Sequence, residues 1–220
     1  MRHPLSAKLD FLITHAFAAL FFFVPLLFLP FTNELFEFNK MQLTYTLTII
    51  ITSLWLFQAF LNRRLSINKS FLLIPLGLFL LSQTLSTNFS INPHTSIWGY
   101  YSRFHGGLAS TITYLSLYLV FTSHFADKKD KLTITVIPSI LISGGLTATY
   151  AVLEHFGIDS KLWVQDVQSR VFSTLGQPNW LSAYLCALLP LPIYLGLNTK
   201  SLKVAARYYL LALLFLVTIL

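Results

Sequence analysis

Residues 11–33 read FLITHAFAALFFFVPLLFLPFTN and contain no Asp, Glu, Lys or Arg. A helix of about 20 apolar residues is long enough to cross the hydrocarbon core of a bilayer. Six further charge-free runs follow it: Met41–Asn62, Ser70–Ser102, Phe104–Ala126, Leu132–Leu153, Val171–Thr199 and Tyr208–Leu220. Because a backbone in lipid must satisfy its hydrogen bonds internally, each run predicts a helix.

The runs together predict an all-α protein, a polytopic bundle with six complete transmembrane spans and the start of a seventh. The estimated spans are 11–30, 42–61, 70–87, 106–125, 132–153, 179–197 and 208–220. Only 10% of the residues are charged, against about 25% in soluble domains. We expect one integral-membrane domain over residues 1–220. Because the last run has no loop after it, we expect this domain to be the N-terminal part of a longer one.

The positive charges predict the orientation of the bundle. With the N-terminus in the cytoplasm, eleven of the 15 Lys and Arg residues fall on the inner side: Arg2, Lys8, Arg63, Arg64, Lys69, Lys128, Lys129, Lys131, Lys200, Lys203 and Arg207. Such an asymmetry is typical of multi-pass proteins of a cytoplasmic (inner) membrane. It also accounts for the net charge of +7. Because the cations are divided among short loops, we expect no nucleic-acid partner.

The sequence offers little for metal or soluble-enzyme chemistry. The single cysteine, Cys186, lies within a predicted span and can form no disulfide within the chain. The six histidines show no pair at the i, i+4 spacing of a helical metal site. We therefore expect no metal and no cofactor. Gly144, Gly145 and Ala148 form a stripe of small residues, which predicts close helix packing.

The third predicted outer loop contains the most informative polar sequence, Ser169–Trp180, which reads SRVFSTLGQPNW. Gly176 allows a turn with positive φ, and Pro178 suits the first turn of a helix. A plain helix start explains this pattern, but it does not explain a cation, Arg170, on the outer side. A guanidinium beside a helix N-terminus suits a phosphate ligand. Asp159, Lys161 and Asp166, earlier in the loop, are predicted to be solvated.

The second predicted outer loop, Asn88–His105, carries another outer cation, Arg103. One interpretation is an aromatic belt with a snorkelling arginine, because Trp98 and two tyrosines suit the headgroup zone. The other notes that His105 and two glycines follow Arg103 at the start of a helix, which favours an anionic group. The first outer loop, Phe31–Lys40, is interpreted as a short acidic connector.

Two stretches of these loops resemble the O-antigen ligase and O-antigen polymerase superfamily. Arg170 is followed by Gly-Gln-Pro-Asn at 176–179 and by Ala-Tyr-Leu at 183–185, which is similar to that family's Arg…Gly-Asn-Pro-Asn…Ala-x-Leu signature. The loop from Ser90 to Gly106 is also similar. The likeness covers roughly Ser90–Leu195, and Gln177 stands where the family usually has Asn. The large outer loop that carries further arginines and a histidine in that family has no counterpart in this chain.

The resemblance implies glycan transfer at the outer face of the cytoplasmic membrane. The donor would be a glycan linked to undecaprenyl pyrophosphate, and the acceptor a glycan, a lipid core sugar or a protein hydroxyl. Arg103 and Arg170 would contact the pyrophosphate from one shared site, with Gln177, Asn179 and His105 in supporting positions. The resemblance implies that this chain lacks part of the catalytic site, so no catalytic residue is assigned.

Two other classes of function stay open from the sequence. The first is a transporter of a small solute or ion, which a polar cavity crossing the whole membrane would favour. The absence of Asp, Glu, Lys and Arg from the predicted span interiors counts against a proton-coupled or ion-coupled pump. The second is a membrane assembly protein without a site, which outer arginines that lie far apart in solvent would favour.

Overall fold

The computed structural model describes residues 5–29, 31–32, 34–163 and 166–220. Within these ranges the secondary structure is helical, with no strand: α1 (Leu5–Leu26), α2 (Glu37–Leu61), α3 (Leu73–Asn88), α4 (Pro93–Trp98), α5 (Leu108–Phe125), α6 (Lys129–His155), α7 (Pro178–Asn198) and α8 (Leu202–Ile219). A 3₁₀ turn, Ser173–Leu175, precedes α7. Arg2 of the predicted inner cations and Pro30, the last residue of the first predicted span, lie outside the described residues.

Five helices are long and apolar enough to cross a membrane, namely α1, α2, α6, α7 and α8. This is the pattern of a multi-pass membrane protein. Two further predicted spans are helical but do not meet the same criterion. Helix α3 has 16 residues and is about 24 Å long, shorter than the roughly 30 Å hydrocarbon core. Helix α5 has 18 residues, but its serines, threonines and tyrosines lower its hydropathy.

Four helices, α1, α2, α6 and α8, begin earlier than the corresponding charge-free runs. Helix α1 begins at Leu5 instead of residue 11, and it includes Asp10, which is buried. Helix α8 begins at Leu202 instead of residue 208 and has 18 residues, so it is a candidate full span instead of only the start of one. The sequence estimate excludes these first turns because they carry charge. Asp10 is tolerated in α1 because Lys128 and Lys131 form ion pairs with it.

The bundle has two apolar cores, and α6 contributes to both. The first joins α1, α2, α5 and the start of α6, and its buried residues are Ile13, Phe17, Ile51, Trp55, Val120, Phe125 and Val136. The second joins α6, α7 and α8, and its buried residues are Ala148, Ala151, Leu181, Leu185, Leu188 and Phe215.

The glycines of α6 bring α7 and α8 close to it. A Cβ atom on Gly144 would lie 2.7 Å from Leu188 Cδ1 and 3.0 Å from Phe215 Cζ. On Gly145 it would lie 3.2 Å from Leu211 Cδ1. The close packing predicted from the small-residue stripe is therefore confirmed.

Candidate functional site

Arg103 lies at the tip of a hydrogen-bonded loop between α4 and α5. The loop closes because Tyr100 N donates to His105 O at 3.0 Å, while Arg103 N and Phe104 N both donate to Tyr100 O. Gly99 is required at its base, with φ +84° and a Cβ position only 2.0 Å from His105 O. This arrangement leaves the Arg103 side chain partly accessible, with 46% of its surface exposed.

The Arg103 guanidinium is paired with an acidic residue of α2. Its Nε atom lies 3.2 Å from Glu37 Oε2, and its Cζ atom lies 5.7 Å from the centre of the Tyr100 ring. The loop also contacts α2 where Tyr45 Oη donates to Phe104 O at 2.9 Å. Glu37 is thus more than part of an acidic connector, because it anchors Arg103 against the first turn of α2.

Arg170 is exposed, but the backbone that follows it is fixed by a buried carboxylate. Glu154 has no solvent exposure. Its Oε2 atom accepts hydrogen bonds from Phe172 N and Ser173 N, both at 2.8 Å. Ser173 Oγ donates to Thr147 O at 2.7 Å. These contacts hold Ser173 at φ +53°, in the left-handed region that few side chains adopt.

The backbone before Arg170 is fixed as well. His155 Nδ1 donates to Gln168 O at 2.7 Å. Asp166 accepts hydrogen bonds from Ser169 and Gln168, and those from Ser169 are the main reason that the pKa of its carboxyl lies below the usual value. Arg170 is therefore an exposed cation between two hydrogen-bonded segments, and among the described residues its side chain forms no ion pair.

Lys40 and Phe36 of the α2 start hold the 3₁₀ turn in place. Lys40 Nζ donates to Leu27 O and to Thr174 O, both at 2.6 Å. Thr174 Oγ1 donates to Pro25 O at 2.8 Å, near the end of α1. The Phe36 ring lies directly over Gly176, where a Cβ atom would be 2.4 Å from Phe36 Cγ.

An aromatic cluster completes this end of the bundle. Phe36 contacts the rings of Phe28, Trp163 and Phe172. Trp163 Nε1 also donates to Asp159 Oδ2 at 2.6 Å, as does Tyr150 Oη. The prediction that Asp159 is solvated is wrong, because these two donors hold it in a buried position. Lys161 and Asp166 are exposed, as predicted.

The remaining predicted site residues lie at the start of α7 and in the Arg103 loop. Gly176 has φ +79°, and Pro178 occupies the first turn of α7 after Gln177, as the sequence predicts. Gln177 is half-buried and makes no side-chain cap, while Asn179 is exposed. His105 is exposed, with its ring centre 6.2 Å from that of Tyr114.

Both arginine loops therefore lie at one end of the bundle, against the first turns of α2. Glu37 contacts the Arg103 loop, while Phe36 and Lys40 contact the segment after Arg170. Whether both guanidiniums bind one ligand stays a prediction. No group of three or more His, Cys, Asp or Glu side chains that could hold a metal ion occurs in the described part of the chain.

The sequence alone does not identify Glu154 and Lys40 as parts of this site. The sequence indicates Glu154 only as the end of a span, and Lys40 only as one of four outer cations. Their sequence signal is weak, because each is a single charge beside an apolar run. No protein-family model matches the chain, and neither a curated protein nor a solved structure is significantly similar to it.

Proposed function

We propose that this protein is a membrane glycan transferase of the O-antigen ligase or polymerase type. It would move a glycan from undecaprenyl pyrophosphate to an acceptor hydroxyl at the outer face of the cytoplasmic membrane. The observation that carries the proposal is the exposed Arg170 on a backbone fixed by Glu154. A fixed backbone beside Arg170 reduces the backbone entropy that is lost when its guanidinium binds an anion.

In the proposed reaction, the acceptor oxygen forms a bond to the anomeric carbon as the carbon–oxygen bond to pyrophosphate breaks, and the acceptor hydroxyl loses its proton to water. Negative charge then grows on the departing pyrophosphate. Arg170 stabilises that charge through paired N–H bonds, which arginine can direct to two phosphate oxygens. Arg103 contributes from the neighbouring loop, with its charge partly balanced by Glu37. Gln177, Asn179 and His105 would orient the donor, and no residue is assigned as the base.

The proposal requires the arginine end of the bundle to face outward, with six or more spans and a cytoplasmic N-terminus. The cation asymmetry predicts this orientation, so thiol labelling provides a test. In a Cys186→Ser background, a cysteine placed at Lys161 is expected to react with a membrane-impermeant reagent added outside the cell. A cysteine placed at Lys203 is expected to react only after the membrane is permeabilised. The reverse pattern would contradict the orientation.

Lipid binding provides the direct test of the function. The purified protein is expected to bind undecaprenyl pyrophosphate at least tenfold more tightly than undecaprenyl monophosphate, because charge-assisted contacts to the second phosphate are worth roughly 1.5–3 kcal/mol each. Equal binding of the two lipids would contradict the proposal. Liposomes containing the protein provide the control, since solute flux without lipid preference would favour the transporter class.

A further inference from the structure

A second polar cluster lies at the opposite end of the bundle from Arg103 and Arg170. Gln58 follows Glu37 in α2 by 21 residues (58 − 37), or about 31 Å along the helix axis. Gln58 Nε2 donates to Ser6 O at 2.9 Å, and Asn62 Nδ2 donates to Ser6 Oγ at 3.0 Å. These contacts join the start of α1 to the end of α2. The cation asymmetry predicts that this end lies in the cytoplasm.

The cluster centres on Asp10, which accepts hydrogen bonds from Lys128 Nζ and Lys131 Nζ on separate carboxylate oxygens. Thr14 Oγ1 donates to Asp10 O at 2.9 Å, so its oxygen accepts from His124 Nε2, which lies 3.0 Å away. His124 Nδ1 is then an acceptor for Lys128 Nζ at 3.3 Å. This series of hydrogen bonds requires His124 to be neutral, and it holds Lys128 and Lys131 at the bundle surface.

An open pocket lies beside this cluster, between α1, α2 and the α5–α6 turn. Its wall includes Trp55, Gln58, Arg64, His124, Lys128 and Lys131. The charged residues around it are Arg64, Lys128, Lys131, Asp10 and Asp127, which leave a net charge of +1 (3 − 2) with His124 neutral. Among the described residues, the Lys131 ammonium group donates a hydrogen bond only to Asp10. Two of its three N–H groups can therefore donate to a ligand.

An apolar groove adjoins the pocket along the outside of α2. It is formed by Leu56, Ala59, Phe60, Leu61 and Leu65, with Arg63 and Arg64 at its edge. Ala59 and Arg64 belong to both the groove and the pocket. Phe60 is 76% exposed. A polar, cationic pocket that continues into an apolar groove matches a ligand with an anionic head and a hydrocarbon tail.

We propose that this pocket binds the phosphate headgroup of an anionic phospholipid, with one acyl chain of that lipid in the adjoining groove. Arg64 and Lys131 would donate to the phosphate oxygens, and the hydroxyl and amide groups of the wall would contact the glycerol part of the headgroup. Basic pockets between helices on the cytoplasmic side are suited to such headgroups. The site is separate from the arginine end, so the proposal does not depend on glycan transfer.

The test measures lipid binding to delipidated protein in an uncharged detergent, by native mass spectrometry. Phosphatidylglycerol is expected to bind at least roughly tenfold more tightly than phosphatidylcholine, because the choline cation cancels the headgroup charge and is disfavoured beside the cations of the pocket. Arg64→Gln should weaken phosphatidylglycerol binding by about tenfold. Lys203→Gln, at the same predicted membrane face but outside the pocket, should leave it within about twofold.

Two further measurements separate a lipid site from a site for soluble phosphate. Phe60→Ser should weaken phosphatidylglycerol binding without changing the weak binding of glycerol phosphate. Glycerol phosphate that binds as tightly as phosphatidylglycerol would overturn the proposal, as would an unaltered lipid affinity in Phe60→Ser. Equal losses from Arg64→Gln and Lys203→Gln would show only general surface attraction and would overturn it too.

Discussion

Replacing Glu154 with alanine is expected to lower the stability of the protein by several kcal/mol. The substitution removes the acceptor for Phe172 N and Ser173 N, both of which belong to buried residues. Each buried N–H group left without a partner costs about 1–3 kcal/mol, so the expected loss is about 2–6 kcal/mol. Equilibrium unfolding in detergent would measure this loss. Hydrogen exchange would detect faster exchange of these two amides.

Two matched variants give the Glu154 prediction its controls. Glu154→Gln keeps one side-chain oxygen able to accept both N–H groups, so stability should stay within about 1 kcal/mol of the unmodified protein. Asp166→Ala removes an exposed carboxylate from the same loop, and it should also cost less than about 1 kcal/mol. If Glu154→Ala were no more destabilising than Asp166→Ala, then Glu154 would not be the anchor of the Arg170 loop.

Replacing Arg170 with alanine in the full-length protein is expected to reduce glycan transfer from a lipid-linked donor at least about tenfold. A charge-assisted contact to a bound pyrophosphate is worth roughly 1.5–3 kcal/mol, whereas an exposed surface pair is worth less than about 1 kcal/mol. The Arg170 side chain is exposed, so its removal should leave the unfolding temperature nearly unchanged. Transfer and unfolding measured on the same preparation would separate a binding role from a structural one.

Two further variants, Arg170→Lys and Lys161→Ala, serve as controls for Arg170→Ala. Arg170→Lys should recover little of the lost transfer, because an ammonium group lacks the planar fork that binds two phosphate oxygens. Lys161→Ala removes an exposed cation from the same loop and should change transfer by less than about twofold. Equal and small effects of Arg170→Ala and Lys161→Ala would contradict the proposed function.

The sequence predicts well those features that depend on residues close together in the chain, namely the helices and the turn before α7. The absence of water in lipid requires backbone hydrogen bonds within each apolar run, so every run could be assigned to a helix. Gly176 and Pro178 have backbone preferences that act within one or two residues, and both occupy the predicted conformations. Helix starts are predicted less well. Asp10 and Arg207 lie in the first two turns of α1 and α8, and the charge-free runs leave these turns out because they carry charge.

The contacts that shape the candidate site depend on long-range packing, which the sequence does not display. Glu154 reaches backbone groups 18 and 19 residues away, and Lys40 reaches one 134 residues away. Asp159 is predicted to be solvated because its neighbours alternate in charge. Its burial depends on Tyr150 and Trp163, and a charge pattern alone does not indicate that these two side chains converge on it.

The bond from Thr174 Oγ1 to Pro25 O has a consequence for the order of folding. The two residues are 149 positions apart, so the 3₁₀ turn can take its final shape only after the end of α1 is packed beside it. The turn requires α1, α2 and α6 to be inserted and packed first, because each of these helices supplies one of its hydrogen-bond partners: Pro25, Lys40 and Thr147. Contacts at such separations form late. The Arg170 loop is therefore expected to be among the last parts of the protein to become protected from protease during biosynthesis.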